Sequence, residues 1–266
     1  MSEERGFRLV IGILGWGSIV FLVFPVALTV LVSFNGSYFI EVPPSSYSLD
    51  WYRNIANINK IGEATLTSLM IAALAASLVT VMALGTALAI VRHEFPAKAA
   101  LTSFLLSPIA VPIVAIGIAL IQFFIRLDIA FTWYSLLIGH MVLVAAYPVR
   151  TIVASLTLYN SNIEEAAASL GASRWITFWT VTLPQLKPGL ISGFLFAFLI
   201  SFDNYPISIF LVRGGLTTMP IEVFNYISQN FDPTPAAFST VYILVISALI
   251  MFVEQRYRVI SLSIGR

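Results

Sequence analysis

Hydrophobic positions along the chain fall into six long runs separated by shorter polar stretches, each run of a length suited to a membrane span of about 20 apolar residues. The first, about Leu9 to Phe34, follows Arg5 and Arg8 and contains Pro25. It is too long for a signal-peptide core and no small-residue cleavage site follows, so a retained helix is expected. Asn35 to Gly62 is rich in Pro, Ser, Asn and Tyr and reads as an exposed loop. The second run, about Ala64 to Val91, ends in the charged turn Arg92 to Lys98. The third, about Ala99 to Ile125, holds Pro108, Pro112 and Gly117 and is expected to be one kinked helix. The others cover about Tyr134 to Leu158, Pro188 to Val212 and Ala236 to Val253. The pattern predicts an all-α membrane protein with six transmembrane helices in a single domain, residues 1–266, whose polar loop at residues 159–187 stands apart from the spans.

Composition agrees: 59% hydrophobic, 10% charged and a mean hydropathy of +0.92 exclude an ordinary soluble enzyme, which carries roughly 25% charged residues. No cysteine is present, which removes disulfides and cysteine-ligated metals. A net charge of +1 gives no sign of nucleic-acid binding. Ten of the fourteen bases fall on one side of the six spans, namely Arg5, Arg8, Arg92, Lys98, Arg150, Arg174, Lys187, Arg256, Arg258 and Arg266. By the positive-inside rule, both termini and the 159–187 loop are expected in the cytoplasm.

That loop contains Ser161 three residues before Glu164, a capping-box pattern, and Gly171, a helix-ending residue. A short helix from Asn162 to Leu170 is therefore expected, with Glu164 and Glu165 in its first turn, where the helix dipole favours acids. A second helix starting at Ser173 is expected to end before Pro184. Ile163, Ala167 and Leu170 share one face of the first. So short a helix needs something to bury that face. Two acids and no base of its own fit a protein partner better than a lipid surface, which favours Lys, Arg and Trp.

The same residues carry a resemblance. Glu165-Ala166-Ala167, three residues, Gly171, nine residues, then Val181-Thr182-Leu183-Pro184 resembles the E-A-A-x3-G-x9-I-x-L-P loop of ABC importer permeases, with Val181 in the usual Ile position. Ser107-Pro108, Ser201-Phe202-Asp203-Asn204 and Met219-Pro220-Ile221 extend it, and it is closest to the spermidine/putrescine-type permeases. The resemblance implies a type I importer permease fold in a bacterial inner membrane. It also implies that Glu164, Glu165, Ala166, Ala167, Leu170, Gly171, Leu183 and Pro184 form the joint with a cytoplasmic ABC ATPase dimer. An external substrate-binding protein and a second permease chain, in a heterodimer, are the further partners implied, within membrane lipid.

None of the three lysines follows a glycine, so the chain holds no G-x-x-x-x-G-K-[ST] phosphate loop and ATP with its magnesium belongs to another subunit. His93 and His140, the only histidines, suit structural roles, and no metal or catalytic pattern is visible. Asp203 is the one acid well inside an apolar run. Intramembrane acids mark pathways by default, although bonding between helices, or hydration close to the outer interface, is the alternative. With Ser201, Asn204 and Tyr205 beside it, the helix is expected to be kinked or unwound there and to line the substrate path. One acid suits an amine-bearing solute: a polyamine, an opine or an amino-acid-like compound. Asn204 and Ile113 stand where the polyamine permeases tend to carry further acids. Arg150, at the inner end of the fourth run, suits a snorkelling side chain, with a gate or a pair with Glu164 or Glu165 as the other readings, and the stretch Leu216 to Ile227, with Glu222, faces the binding protein or lines the outer mouth. An ion-gradient-driven secondary transporter is the alternative reading, but it predicts several intramembrane acids and an internal repeat.

Overall fold

The computed structural model describes residues 2–257, and apart from a single bridge between Asn35 and Tyr47 the regular structure in that range is helical. Arg258 and Arg266, counted above for orientation, lie outside the described residues, as does the side chain of Arg5. The helices are α1 (Ser2–Ser33), α2 (Asp50–Asn54), α3 (Ile61–Arg92), α4 (Lys98–Leu106), α5 (Ile113–Arg126), α6 (Trp133–Val144) and α7 (Ala146–Thr157). They continue with α8 (Asn162–Ser169), α9 (Arg174–Thr177), α10 (Leu183–Phe202), α11 (Tyr205–Leu211), α12 (Met219–Gln229) and α13 (Thr234–Tyr257). Five segments are long and apolar enough to cross a membrane: Phe7–Ser33, Ile61–Arg92, Trp133–Thr157, Arg174–Phe202 and Thr234–Arg256. The α4–α5 pair supplies a sixth if it is counted as one span.

That pair corrects the expected third helix. Instead of a kink, α4 gives way to a 3-10 turn at Ser107–Ile109, Pro112 adopts extended backbone, and α5 leaves at 104° to α4. Pro108 and Pro112 both lack an N–H, and a proline also disfavours helical backbone in the residue before it, so two prolines four apart deprive the ladder of consecutive turns. A second correction concerns Pro184, which does not end a helix. The chain runs helically from Arg174 to Phe202, passing through a π turn at Phe178–Thr182 just before the proline that has no N–H to give.

The described residues divide into two compact units, one of residues 2–61 with Val223–Ile250 and the other of Gly62–Glu222 with the described residues from Met251 on. In the first, α1 exposes Phe7, Trp16, Phe21 and Phe24, a surface suited to lipid rather than water. The loop after α1 is tied by Ser33 to the Tyr52 hydroxyl at 2.6 Å, and Asn54 donates to the Tyr226 hydroxyl at 2.9 Å and to Thr234 at 2.8 Å. Tyr226 in turn donates to Asp232 at 2.6 Å.

In the second unit, α10 lies directly on α7. A Cβ added at Gly193 would stand 2.8 Å from Pro148 Cα, so only glycine permits this approach, the small-residue packing familiar between membrane helices. The core gathers Ile71, Phe124, Leu136, Leu143, Ile207 and Leu211. A separate cluster joins Ala87, Ile90, Ile152, Leu156 and Leu186.

Candidate functional site

The 159–187 loop folds as two capped turns. α8 closes in a Schellman arrangement, with the Gly171 N–H on the Ala168 carbonyl at 2.9 Å and the Ala172 N–H on the Ala167 carbonyl at 3.0 Å. Gly171 has φ +83°, the left-handed region where a Cβ is costly, so this glycine is what lets the chain turn away. Ser173 then caps α9 by accepting from the Ile176 N–H at 3.4 Å. The N-terminal side of α8 is a correction. Ser161 has helical backbone and makes no side-chain cap, so the capping box is absent; Asn160 Oδ1 takes the Asn162 N–H at 3.1 Å instead.

The reason is that Glu164 is engaged elsewhere. Its Oε1 accepts from Arg92 Nη2, at the C-terminal end of α3, at 2.5 Å, and from the Thr182 hydroxyl in the π turn. The Tyr159 hydroxyl is buried beside this carboxylate without a well-aligned partner. Burial pushes the Glu164 carboxyl up, but the hydrogen bonds from Thr182 and Arg92, the nearby Tyr159 hydroxyl and the guanidinium charge outweigh it and hold the group below its ordinary 4.5. Burial, with the neighbouring carboxylate, raises the Tyr159 hydroxyl above its ordinary value. The ion pair proposed for Arg150 thus falls to Arg92, and Arg150 is exposed.

The remaining loop residues point outward. Glu165, Ala166 and Gly171 are exposed, Ala167 and Leu183 are half-buried, Pro184 is exposed, and Leu170 reaches 89% exposure. Trp175, 70% exposed, packs edge-on to Trp179 at 5.5 Å between ring centres. A cleft of about 450 Å³ beside α8 is lined by Arg92, Glu165, Ala168, Arg174 and Phe178. Arg92 and Thr182 escaped the sequence reading. Arg92 is 72 residues from its partner, and nothing local announces the pairing.

The second candidate region is the interruption after α10. The helix stops at Asp203, and α11 restarts behind Asn204, whose Oδ1 accepts the Ile207 N–H at 2.9 Å. The unwinding expected there is present. Ser201 and Asn204 are buried, and Tyr205 is half-buried. Asp203 is exposed, and among the described residues its carboxylate has no hydrogen-bond or ion-pair partner. Ser201 meets His140 across the helix interface at 2.8 Å. Glu222, in the first turn of α12, is half-buried.

Residues 81–258 match the family described as binding-protein-dependent transport system inner membrane component. The chain belongs to that family. It is a non-catalytic, multi-pass permease subunit of an ABC importer in a bacterial inner membrane. It is 31% identical over 241 residues to the putrescine transport system permease protein PotI of Escherichia coli, covering 88% of this permease and 84% of that protein. It is 29% identical over 231 residues to the spermidine/putrescine transport system permease protein PotC of Haemophilus influenzae, covering 87% and 90%. It is also 26% identical over 239 residues to the putative 2-aminoethylphosphonate transport system permease protein PhnV of Salmonella paratyphi A, covering 89% of each. In fold, the permease resembles a chain of a bacterial ABC transporter involved in the import of the acidic polysaccharide alginate. The TM-score is 0.69 at 14% identity, over 97% of this permease and 98% of that chain.

Proposed function

We propose that α8 is the element through which a cytoplasmic ATPase drives this permease, and that the solute carries a primary ammonium group. The observation that carries the first part is the outward face of α8. Glu165, Ala166 and Leu170 stand exposed on a helix of eight residues, too short to be stable alone, yet it is fixed from behind by Arg92 and Thr182. Small alanines allow close approach of a partner, and the adjacent cleft offers both charge signs to it. ATP and magnesium bound by the partner would draw two such helices together, one from this chain and one from a second permease, and reverse the opening of the path. An external binding protein delivers the solute.

The solute class rests on Asp203. An exposed, unpartnered carboxylate between two apolar helices is costly against lipid and is tolerated where it faces water or a cation. The three relatives named above share, in the chemistry of their printed substrates, a primary amine. The exchange of a neighbouring acid for Asn204 leaves open a polyamine, an opine or an amino-acid-derived solute.

The test uses the full transporter reconstituted with its ATPase and binding protein. Glu165→Ala is expected to leave the complex folded and ATP hydrolysis measurable while uptake falls sharply. Uptake undiminished in cells that lack the ATPase would overturn the coupling role. For the solute, Asp203→Asn is expected to weaken putrescine uptake through KM; transport at unchanged KM and rate would remove Asp203 from the path.

A further inference from the structure

Behind the α10–α11 interruption lies His140, 2% exposed and part of α6. Its Nδ1 faces the Ser201 hydroxyl at 2.8 Å and its Nε2 faces the Ser208 hydroxyl at 3.1 Å. Ser201 belongs to the last turn of α10 and Ser208 to α11, so one imidazole holds both arms of the broken helix.

The proton directions are determined by the neighbours. The Ser208 hydroxyl donates its single proton to the Asn204 carbonyl at 2.5 Å. With that proton committed, Nε2 is placed to donate to Ser208, while Nδ1 stands against Ser201. The result is one connected set, Ser201, His140, Ser208 and the backbone of Asn204, while the Asn204 side chain caps α11. The neutral polar side chains Ser201, Asn204 and Ser208 at the break are thus committed inward. The Asp203 carboxylate is left over, exposed and outside this set of bonds.

We propose that His140 is a positioning residue for transport, a clasp that fixes the α10–α11 interruption and thereby presents Asp203 to the solute. This rests on Asp203 lining the path. His140 touches no solute; it acts through Ser201, Ser208 and the Asn204 carbonyl. A space-filling apolar residue would keep the packing, but it would strand the buried Ser201 hydroxyl, leave Ser208 tied only to the Asn204 carbonyl and free the break to rewind.

The chain contains no cysteine, so Asp203→Cys supplies a single reporter thiol. Its reaction rate with a charged methanethiosulfonate is measured on the assembled transporter in nanodiscs, with His140, His140→Leu or His140→Gln. Reaction is expected with His140, a rate lowered about tenfold with His140→Leu, and partial recovery with His140→Gln, which restores one hydrogen bond. With Asp203 intact, His140→Leu is expected to raise KM for putrescine by about the same factor, with a smaller change in maximal uptake. Equal labelling rates in all three backgrounds, at equal membrane abundance, would overturn the clasp. No labelling even with His140 would instead overturn the placement of Asp203 on the path. If His140→Leu does not accumulate, Ser208→Ala, which removes only one end of the clasp, is measured in its place, with the same slowing expected and an unchanged rate counting against the clasp.

Discussion

The α8 loop and the α10–α11 interruption use one device with different chemistry. In each, an exposed carboxylate sits next to residues tied back into the chain: Glu165 beside Glu164, and Asp203 beside Asn204. Anchoring the neighbour pre-orders the free group and lowers the entropy lost when it binds. The anchors differ. At α8 the hold is an ion pair whose side chains remain 36% and 23% exposed, within reach of salt and acid. At the break the hold is made of neutral, buried groups, insensitive to salt. On the proposed roles, a joint that engages and releases a partner would be held by a charged pair, and a site that keeps its geometry through a transport cycle by uncharged bonds.

The largest expected effect comes from breaking the buried hold. Asn204→Ala removes the cap of α11 and should destabilise the permease by about 1–2 kcal/mol, read as a lower thermal midpoint in detergent. A change within error would mean that the cap is dispensable. Next comes Glu164→Gln, which keeps the shape but removes the charge facing Arg92; partial exposure limits the expected loss to about 1 kcal/mol or less. That loss should shrink in high salt, whereas the Asn204→Ala loss should not. Equal salt dependence of the two would erase the distinction between the regions.

Acid sharpens the same comparison. Glu164 is held below its ordinary value, so its contribution is fully present above that value and is lost as the pH falls through the lower folded one. Hydrogen exchange across residues 162–169 is therefore expected to be flat, once corrected for intrinsic rates, from neutral pH down to about pH 5 and to rise only in stronger acid. A rise already between neutral pH and pH 5 would contradict the assignment of this hold to the Glu164 carboxylate. The smallest effect is expected for Ser161→Ala, within about 0.5 kcal/mol, because no cap is formed to lose; a loss near the ~1 kcal/mol of an ordinary N-cap would restore the capping box.

Features built from neighbours in sequence were legible beforehand. Gly171 ends α8 and Ser173 starts α9 because capping is settled within a turn. The unwinding at Asp203 follows from three polar residues and Pro206 interrupting an apolar run. The misreadings in the cytoplasmic loop turn on how a local signal competes with the surrounding structure. Ser161 and Glu164 have the right spacing for a capping box, but Arg92 and Thr182 offer Glu164 a charged partner and a hydroxyl that a backbone N–H does not match. Pro184 looked like a stop, yet a π turn absorbs the missing donor and the helix is carried on by its packing against α7.

The amino-acid sequence by itself determined that this chain lives in a membrane, where its spans fall, and that it carries the permease loop, because hydropathy and turn chemistry act over a few consecutive residues. Tertiary structure alone decided which acid of α8 is tied and which is free, that the third apolar run folds back at 104°, and that His140 joins two helices. Those outcomes depend on groups brought together from 61 to 72 positions apart, and on proline-forced bends whose angle is chosen by the surface they pack against.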